Sequence, residues 1–213
     1  MENLQNLRKE YAKASLDEKS VLQNPVKQFE KWFAEAMQAN LPEPNAMCLA
    51  TVSADGRPSQ RIVLLKEIDN GDFVFYTNYQ SKKGLHLAQN PVCSVTFFWH
   101  ELERQVRIEG IAEKVSEEKS IAYFQSRPVG SQIGAWVSPQ STPIASRSIL
   151  EDRLTKIEER FAGLQKLPKP QQWGGFAIRP LLIEFWQGRP NRLHDRIEYT
   201  RTDNDWKILR LAP

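Results

Sequence analysis

The feature of this sequence that most constrains its fold is a series of short apolar segments separated by tight-turn dipeptides. Ala46–Val52 is followed by Asp55-Gly56, and the next segment, Gln60–Ile68, is followed by Asn70-Gly71. Such dipeptides favour the two-residue turns of β-hairpins, so the flanking segments are predicted to pair as antiparallel strands. The remaining predicted strands are Phe73–Thr77, Val92–Trp99, Arg104–Val115, Phe176–Ile178, Leu181–Trp186, one that begins near Arg192, and Trp206–Leu211.

A hairpin order of about seven or eight strands favours an antiparallel sheet or barrel over a doubly wound fold. Capping residues and amphipathic patterns predict helices between the strands. The clearest helix is at residues 25–39, because Asn24-Pro25 can start it and one apolar stripe runs along it. The other predicted helices are Ser81–Gln89, Ser116–Gln125 and Ser146–Phe161, whereas Arg127–Val137 is ambiguous. The predicted fold class is therefore α+β, mainly β with peripheral helices.

Composition sets broad limits on the protein class. Residues 1–24 are polar and mixed in charge, so we predict a mobile N-terminal arm, followed by one domain at residues 25–213. The net charge of +3 is too small to argue for a nucleic-acid partner. Cys48 and Cys93 lie in apolar segments, which favours buried thiols in a reducing compartment. Because the sequence lacks an apolar signal core and a long apolar segment, a cytoplasmic location is expected.

Several common catalytic motifs are absent from the sequence. It contains no Gly-x-Gly-x-x-Gly pattern after a strand and no phosphate-loop Gly-Lys-Ser/Thr. His86, His100 and His194 lie far apart, and no Cys/His spacing resembles a zinc site. No Gly-x-Ser-x-Gly elbow is present. Metal centres and covalent hydrolases are therefore disfavoured.

Basic residues stand where predicted strands end, and one group suggests a phosphate site. Arg61 and Lys66 flank the apolar run Ile62–Leu65, and Ser81-Lys82-Lys83 opens a helix soon after Tyr76-Thr77. Hydroxyl groups, lysines and exposed backbone N–H groups at a helix start are suited to a phosphate ester. The alternative is an ordinary capped helix with its charges in solvent.

A second candidate phosphate site contains Tyr123, Arg127 and Ser131. These residues are four positions apart, so a helical backbone would place them on one face. Two separate anion sites would suit two phosphorylated small molecules, with an aromatic residue such as Trp186 beside a flat ring between them.

The segment near residue 192 carries an unusual set of side chains for a strand. Arg192, His194 and Arg196 would point to one face if the strand begins near Arg192. The alternative is a solvated edge strand.

Ordered motifs along the chain show a resemblance to a known family. The most specific are Gln60-Arg-Ile-Val-Leu-Leu-Lys66, Phe75-Tyr-Thr-Asn78, Trp99-His-x-Leu-Glu-Arg-Gln105, Tyr123-Phe-x-Ser-Arg-Pro128, Ser131-Gln-Ile-Gly-Ala-Trp136, Ile183-Glu-Phe-Trp-Gln-Gly188 and Arg192-Leu-His-Asp-Arg196. With these motifs the chain resembles the pyridoxine (pyridoxamine) 5′-phosphate oxidase family of FMN-dependent enzymes, from Leu7 to the C-terminal Leu211-Ala-Pro213.

The resemblance implies an FMN-binding split β-barrel that forms a homodimer with FMN at the subunit interface. It implies oxidation of pyridoxine 5′-phosphate or pyridoxamine 5′-phosphate to pyridoxal 5′-phosphate, with O2 as electron acceptor and H2O2 as product. The implied FMN-binding residues are Arg61, Ile62, Val63, Leu64, Leu65, Lys66, Tyr76, Thr77, Lys82, Lys83, Gln105, Gln140, Ser141, Trp186 and Arg196. The implied substrate-binding residues are Arg8, Lys9, Glu10, Tyr11, Lys66, Tyr123, Arg127, Ser131, Arg192 and His194, with Arg192 and His194 as the catalytic pair.

Two features of the chain complicate this assignment. Lys82 and Lys9 stand where family members often have arginine, and lysine cannot make a planar two-pronged contact. Arg61 and Lys66 are five positions apart, so both reach one site only if the strand twists, bulges or ends before Lys66. The alternatives are a flavin reductase or another split-barrel oxidoreductase, a flavin- or haem-binding carrier, and a basic nucleic-acid module. The preference between alcohol and amine substrates stays open.

Overall fold

The computed structural model describes residues 10–213, so the predicted contacts of Arg8 and Lys9 lie outside the described residues. The helices are α1 (Pro25–Gln38), α2 (Lys82–Gln89), α3 (Glu117–Ser126), α4 (Val129–Val137) and α5 (Ser148–Arg160). The strands are β1 (Ala46–Val52), β2 (Pro58–Leu64), β3 (Glu67–Asp69), β4 (Asp72–Asn78), β5 (Val92–Trp99), β6 (Arg104–Lys114), β7 (Trp173–Gln187), β8 (Asp195–Arg201) and β9 (Trp206–Arg210). No helix in this part of the chain is long and apolar enough to cross a membrane.

The strands of the described chain form one sheet in the order β2-β1-β5-β6-β7-β4-β3, with β8 paired to β7 and β9 paired to β8. The pairs β3–β4, β4–β7, β7–β8 and β8–β9 are antiparallel. The predicted turns are present, with left-handed backbone at Gly56 (φ 81°), Asn70 (φ 51°) and Gly71 (φ 91°). The antiparallel, mainly β prediction is therefore confirmed.

Strand β7 is one continuous strand, whereas the sequence predicted two strands joined at Arg179-Pro180. Residues on the N-terminal side of this dipeptide pair with β4, ending at Ile178. Residues on the C-terminal side pair with β8, starting at Leu182. Pro180 has no backbone N–H to donate, and it lies where neither of these two pairings needs one.

Helices α3 and α4 are separate, which corrects the basis of the second phosphate-site prediction. Arg127 between them has extended backbone (φ −75°, ψ 153°), because the following Pro128 disfavours a helical residue before it. The ambiguous segment is thus mostly helical, but Tyr123, Arg127 and Ser131 do not share one face of a single helix.

The predicted strand face at residues 192–196 is also wrong. Strand β8 begins at Asp195, and Arg192 belongs to the turn Pro190–Arg192, with φ 61°. The turn that starts at Gly188 extends further than predicted, so Arg192 and His194 precede the strand. Strict alternation therefore does not align them with Arg196.

The chain divides into two compact units by its internal contacts. The first unit comprises Met1–Leu49, Ser94–Gly110 and Pro180–Pro213, and the second comprises Ala50–Cys93 and Ile111–Arg179. Aromatic packing fills the first unit, where the rings of Trp32 and Phe185 lie 5.2 Å apart. In the second unit, Phe124, Phe161, Leu167 and Trp173 form a buried cluster. The predicted domain boundary at residue 25 stays a prediction.

Candidate functional site

A cavity of about 990 Å³ in the second unit gathers most of the predicted ligand-binding residues. Strand β2, strand β4, the start of α2, the α3–α4 junction and the segment after α4 all contribute to its wall. The predicted residues among its lining are Arg61, Ile62, Val63, Leu64, Lys66, Tyr76, Thr77, Lys82, Lys83, Tyr123, Arg127, Ser131, Gln140 and Ser141. Leu65 is instead buried in the protein, with 6% of its surface exposed.

Arg61 and Lys66 both line this cavity because β2 ends between them. The strand stops at Leu64, and the backbone N–H of Lys66 then donates to the carbonyl of Val74 (2.8 Å). This break removes the alternation that would have placed the two cations on opposite faces.

Two buried residues that the sequence did not reveal support Arg61. The Arg61 guanidinium donates to Thr51 Oγ1 (2.8 Å), and the same Thr51 oxygen lies 3.2 Å from Nδ1 of His86. Thr51 is fully buried, and His86 is 8% exposed. No motif marks either residue, because their contact joins β1 to a helix more than thirty residues later in the chain.

The Lys83 ammonium is held by neutral oxygen atoms at the start of α2. It donates to Gln140 Oε1 (2.9 Å), Thr77 Oγ1 (3.1 Å) and Ser81 Oγ (3.3 Å). Burial, together with the nearby charge of Arg61, lowers the pKa of Lys83 to about 8. Among the described residues, no carboxylate forms an ion pair with Lys83. A cation at a helix N-terminus opposes the helix dipole, so a bound anion would relieve an unfavourable arrangement.

The start of α2 packs closely on the preceding turn. Ser81 caps the helix by accepting from the backbone N–H of Gly84 (3.4 Å). A Cβ atom on Gly84 would lie 2.3 Å from the backbone oxygen of Tyr79, so only glycine fits without a shift.

The second cation group is built around Arg127. Its guanidinium carbon lies 4.7 Å from the centre of the Trp173 ring, which is a cation–π geometry. The Nη1 atom of Arg127 is buried and has no hydrogen-bond partner among the described residues. An orphaned buried donor on a cation is suited to an anionic ligand. The predicted partners Tyr123 and Ser131 line the same cavity although they do not share one helix.

Aromatic rings form one wall beside Arg127. The Tyr76 and Tyr123 rings stack with centroids 3.9 Å apart, and Tyr76 lies 5.5 Å from Trp173. Burial raises the pKa of Tyr123 and, with help from Glu67, that of Tyr76. Both phenols therefore stay protonated at neutral pH and can donate a hydrogen bond.

The remaining predicted residues belong to the first unit and are not among the residues that line the cavity. They are Glu10, Tyr11, Gln105, Trp186, Arg192, His194 and Arg196. Three of them form an aromatic group, in which the centroid of the Tyr11 ring lies 5.7 Å from that of Trp186 and 5.9 Å from that of His194. Glu10 and Arg192 are exposed, and Gln105 is partly buried on β6.

His194 has a defined hydrogen-bond partner. Its Nδ1 atom accepts from the backbone N–H of Arg189 (3.1 Å), so a neutral ring carries its proton on Nε2. Burial and the charge of Arg192 lower the pKa of His194. The imidazole is therefore neutral at pH 7.

Comparison with known proteins identifies the family. The family model for pyridoxamine 5′-phosphate oxidase matches residues 33–161, and the model for the pyridoxine 5′-phosphate oxidase C-terminal dimerisation region matches residues 173–213. The chain belongs to the pyridoxamine 5′-phosphate oxidase family. It is accordingly an oxidoreductase of this family, and the resemblance seen in the sequence is confirmed.

Individual members of the pyridoxamine 5′-phosphate oxidase family are similar to this chain over all or nearly all of its length. Pyridoxine/pyridoxamine 5′-phosphate oxidases of Burkholderia thailandensis and Salinibacter ruber are 56% and 52% identical, and each alignment covers 100% of both chains. PhzG from Burkholderia lata, solved with tetrahydrophenazine-1-carboxylic acid, has a TM-score of 0.88 at 30% identity and covers 95% of this chain and 99% of its own.

A more distant structure supports the fold. A pyridoxamine 5′-phosphate oxidase-related, FMN-binding protein from Nostoc punctiforme has a TM-score of 0.69 at 18% identity. The match covers 87% of this chain and 97% of that protein. The predicted split-barrel fold class is therefore confirmed.

Proposed function

We propose that the protein is an FMN-dependent oxidase that converts pyridoxine 5′-phosphate or pyridoxamine 5′-phosphate to pyridoxal 5′-phosphate, with O2 reduced to H2O2. The observation that carries the proposal is one cavity lined by several cations, of which Lys83 and Arg127 are partly buried and have no carboxylate partner among the described residues. Two such cations suit two phosphate esters, one of the cofactor and one of the substrate.

The residues at the start of α2 fit the FMN phosphate. Lys83 and Lys82 supply charge, Thr77 and Ser81 supply hydroxyl groups, and the helix N-terminus supplies backbone N–H groups. Arg61, fixed by Thr51, adds a further cation to the same cavity. FMN held by these residues would supply the redox chemistry, as acceptor of a hydride from the substrate and donor of electrons to O2.

The Arg127 group fits the substrate phosphate. Arg127, Tyr123, Ser131 and Lys66 all line the cavity and can hold the phosphate far from the carbon that is oxidised. Binding energy from this remote group would fix the orientation of the pyridine ring, which is where most of the rate is expected to arise.

The first unit would supply the remaining contacts from the partner subunit of a homodimer. The match of residues 173–213 to a dimerisation region supports this arrangement, as does a cavity lined by the second unit. In it, Trp186, Arg196 and Gln105 contact the cofactor, and Arg192 lies over the reacting face of the substrate. His194, neutral with its proton on Nε2, orients the substrate by a hydrogen bond.

A cytoplasmic location is part of the proposal. Neither Cys48 nor Cys93 forms a disulfide, and burial raises the pKa of Cys93 to about 12, which keeps that thiol protonated and unreactive. Both observations suit a reducing compartment.

The test is a steady-state assay of purified protein with each phosphorylated substrate, recording aldehyde and H2O2 together with the flavin absorbance spectrum. We expect bound flavin and equal amounts of both products. Bound flavin without turnover on either substrate would refute the substrate assignment, and a colourless protein that cannot be loaded with FMN would refute the cofactor assignment.

The likeness to PhzG favours one second candidate, the oxidation of a reduced tricyclic carboxylic acid. Tetrahydrophenazine-1-carboxylic acid in the same assay distinguishes the two functions. A higher kcat/KM for this acid than for the phosphorylated pyridines would favour the second candidate.

A further inference from the structure

We propose that Glu103 is a positioning residue that fixes the N-terminal segment and thereby holds Tyr11 against Trp186 and His194. The inference rests on the proposed function, because His194 is assigned to the substrate there and the family resemblance implies that Tyr11 binds the substrate as well. Glu103 lies in a stretch that reads from sequence as part of an ordinary half-exposed strand, and nothing in its motif marks it as a site residue.

The Glu103 side chain is a buried acceptor for two backbone donors. Only 2% of its surface is exposed. Its Oε2 atom accepts from the backbone N–H groups of Ala12 (2.9 Å) and Lys13 (3.0 Å). Hydrogen bonds to an ionised carboxylate are stronger than those between neutral groups, so this contact fixes the direction of the chain at residues 12 and 13.

The backbone of Glu103 also takes part in the contact. Its carbonyl accepts from the N–H of Gly188 (2.7 Å), and its φ of 56° is in the left-handed region. A non-glycine residue in this region costs on the order of 1 kcal/mol. The strained backbone therefore places the carboxylate where the N-terminal segment crosses.

Gly188 makes room for Tyr11 beside Glu103. A Cβ atom on Gly188 would lie 2.7 Å from Cβ and Cγ of Tyr11 and 3.1 Å from Cβ of Glu103. The side chains of Tyr11 and Glu103 thus pack against the backbone of Gly188, which has no side chain. The Tyr11 ring meets Trp186 edge-on, with an interplanar angle of 88°.

Other contacts anchor the segment further along the chain. Asp195 accepts from the backbone N–H of Leu16 (3.0 Å), and Arg189 donates to the carbonyl of Ala14 (3.1 Å). In the described part of the chain, the Ala12–Glu103 hydrogen bond is the anchor nearest to Tyr11 in sequence. Loss of the carboxylate should therefore release Tyr11 and leave residues 14–16 in place.

This geometry assigns Glu103 an effect on substrate binding and none on cofactor loading. Glu103→Ala should raise the KM for pyridoxine 5′-phosphate roughly tenfold, because the two hydrogen bonds from the backbone N–H groups of Ala12 and Lys13, which position Tyr11, are lost. The kcat and the FMN content should stay within about twofold of the wild type. Glu103→Gln keeps an acceptor oxygen, so its KM should lie between those of the wild type and Glu103→Ala. Glu109→Ala, at an exposed position of β6, the strand that follows Glu103, is the matched control.

A double-mutant cycle with Tyr11→Ala tests whether Glu103 acts through Tyr11. If it does, Glu103→Ala should change KM by less than about twofold in the Tyr11→Ala background. Additive effects of the two substitutions, or an unchanged KM in Glu103→Ala, would overturn the proposal. If Glu103→Ala does not fold, Glu103→Gln replaces it in the double-mutant cycle with Tyr11→Ala.

Trypsin cleavage after Lys13 gives a readout that does not depend on turnover. The backbone of Lys13 is held by Glu103, so cleavage should be roughly tenfold faster in Glu103→Ala than in Glu109→Ala. Equal cleavage rates would refute the anchor itself. If the wild-type protein does not oxidise the substrate, the proposed function is refuted. Faster cleavage of Glu103→Ala than of Glu109→Ala would still support the anchor in that case.

Discussion

Arginines of the first unit and cations of the cavity in the second unit differ in what neutralises them. Arg196 donates through two nitrogen atoms to Glu184, whose side chain is 1% exposed, and its third nitrogen donates to the carbonyl of Ala212. Arg107 donates to the same Glu184 carboxylate. The charges of these arginines are thus paired within the protein. The hydrogen bonds to Glu184 raise the pKa of Arg196.

Two cavity cations of the second unit, Lys83 and Arg127, have no such carboxylate partner among the described residues. Lys83 contacts neutral oxygen atoms, and the Arg127 Nη1 atom has no acceptor among the described residues. Burial lowers the pKa of both groups. A partly buried cation without a counter-ion is unfavourable in the free protein, so its presence in a cavity indicates an anionic ligand.

The contrast also separates two arginines of the first unit. Arg196 is already engaged by Glu184, whereas exposed Arg192 forms no ion pair with a carboxylate among the described residues. Arg192 therefore shares with Lys83 and Arg127 the lack of a carboxylate partner, although it is not buried as they are. The cofactor contact of Arg196 stays a prediction.

The largest effect is expected for Arg192→Ala. If Arg192 lies over the reacting face as proposed, loss of this cation should lower kcat roughly 100-fold, while FMN remains bound. Steady-state turnover and the flavin spectrum measure both outcomes, with Arg57→Ala, an exposed arginine paired with Asp55, as control. Turnover close to that of the wild type would remove Arg192 from the catalytic residues.

Arg127→Ala should raise the KM for pyridoxine 5′-phosphate roughly 50-fold with little change in kcat, because a charge-assisted contact with the phosphate is lost. Arg127→Lys should recover part of the loss, since lysine restores the charge without the planar fork. Pyridoxine without its phosphate is the matched control substrate, and its KM should be the same for Arg127→Ala and the wild type. Equal losses on both substrates would contradict a phosphate-binding role.

Glu184→Gln should lower the free energy of unfolding by about 2 kcal/mol, because two arginines then share a neutral partner. Urea unfolding measures the change. The exposed pair Arg147–Glu151 is the control, and Glu151→Gln should cost less than about 0.5 kcal/mol. A stability equal to that of the wild type would show that the buried pair is not a structural element.

Lys83→Met should weaken FMN binding roughly 20-fold without loss of stability, because the lysine is desolvated and has no carboxylate to leave behind. Riboflavin, which lacks the phosphate, should bind the variant and the wild type equally. Fluorescence titration of each flavin separates the effects.

The same lysine predicts the pH dependence of binding. Its pKa of about 8 in the free protein means that it is charged at pH 7 and loses its proton as the pH rises through 8. A bound phosphate favours the charged form, so FMN affinity should fall roughly fivefold to tenfold between pH 7 and pH 9. Lys83→Met should remove this decline. A decline of the same size in the variant would assign it to another group.

Local signals in the sequence predicted most strands and helices. Asp55-Gly56 and Asn70-Gly71 fix hairpins because few residues adopt a left-handed backbone, and Asn24 caps α1 by accepting from the N–H groups of Val26 and Lys27. These features depend on residues that are adjacent in the chain, so they can be read from the sequence. The cations at the start of α2 were predicted for the same reason, from the short segment Ser81-Lys82-Lys83.

Long-range contacts explain what the sequence did not reveal. Arg127 reaches the cavity from a break before Pro128 instead of from a helix face, so the prediction that it lies beside Tyr123 and Ser131 rested on an incorrect geometry. Thr51, His86 and Glu103 are important through partners that lie tens of residues away, and their types are ordinary for a strand or a helix. The start of β8 was misplaced because the turn before it has no regular pattern.

The fit between Gly84 and the carbonyl of Tyr79 has a practical consequence for protein engineering. A single added methyl group would push the first turn of α2 outward and carry the ammonium of its neighbour Lys83 with it. Libraries that aim to alter cofactor choice in this scaffold should therefore keep position 84 fixed and vary the side chains around it.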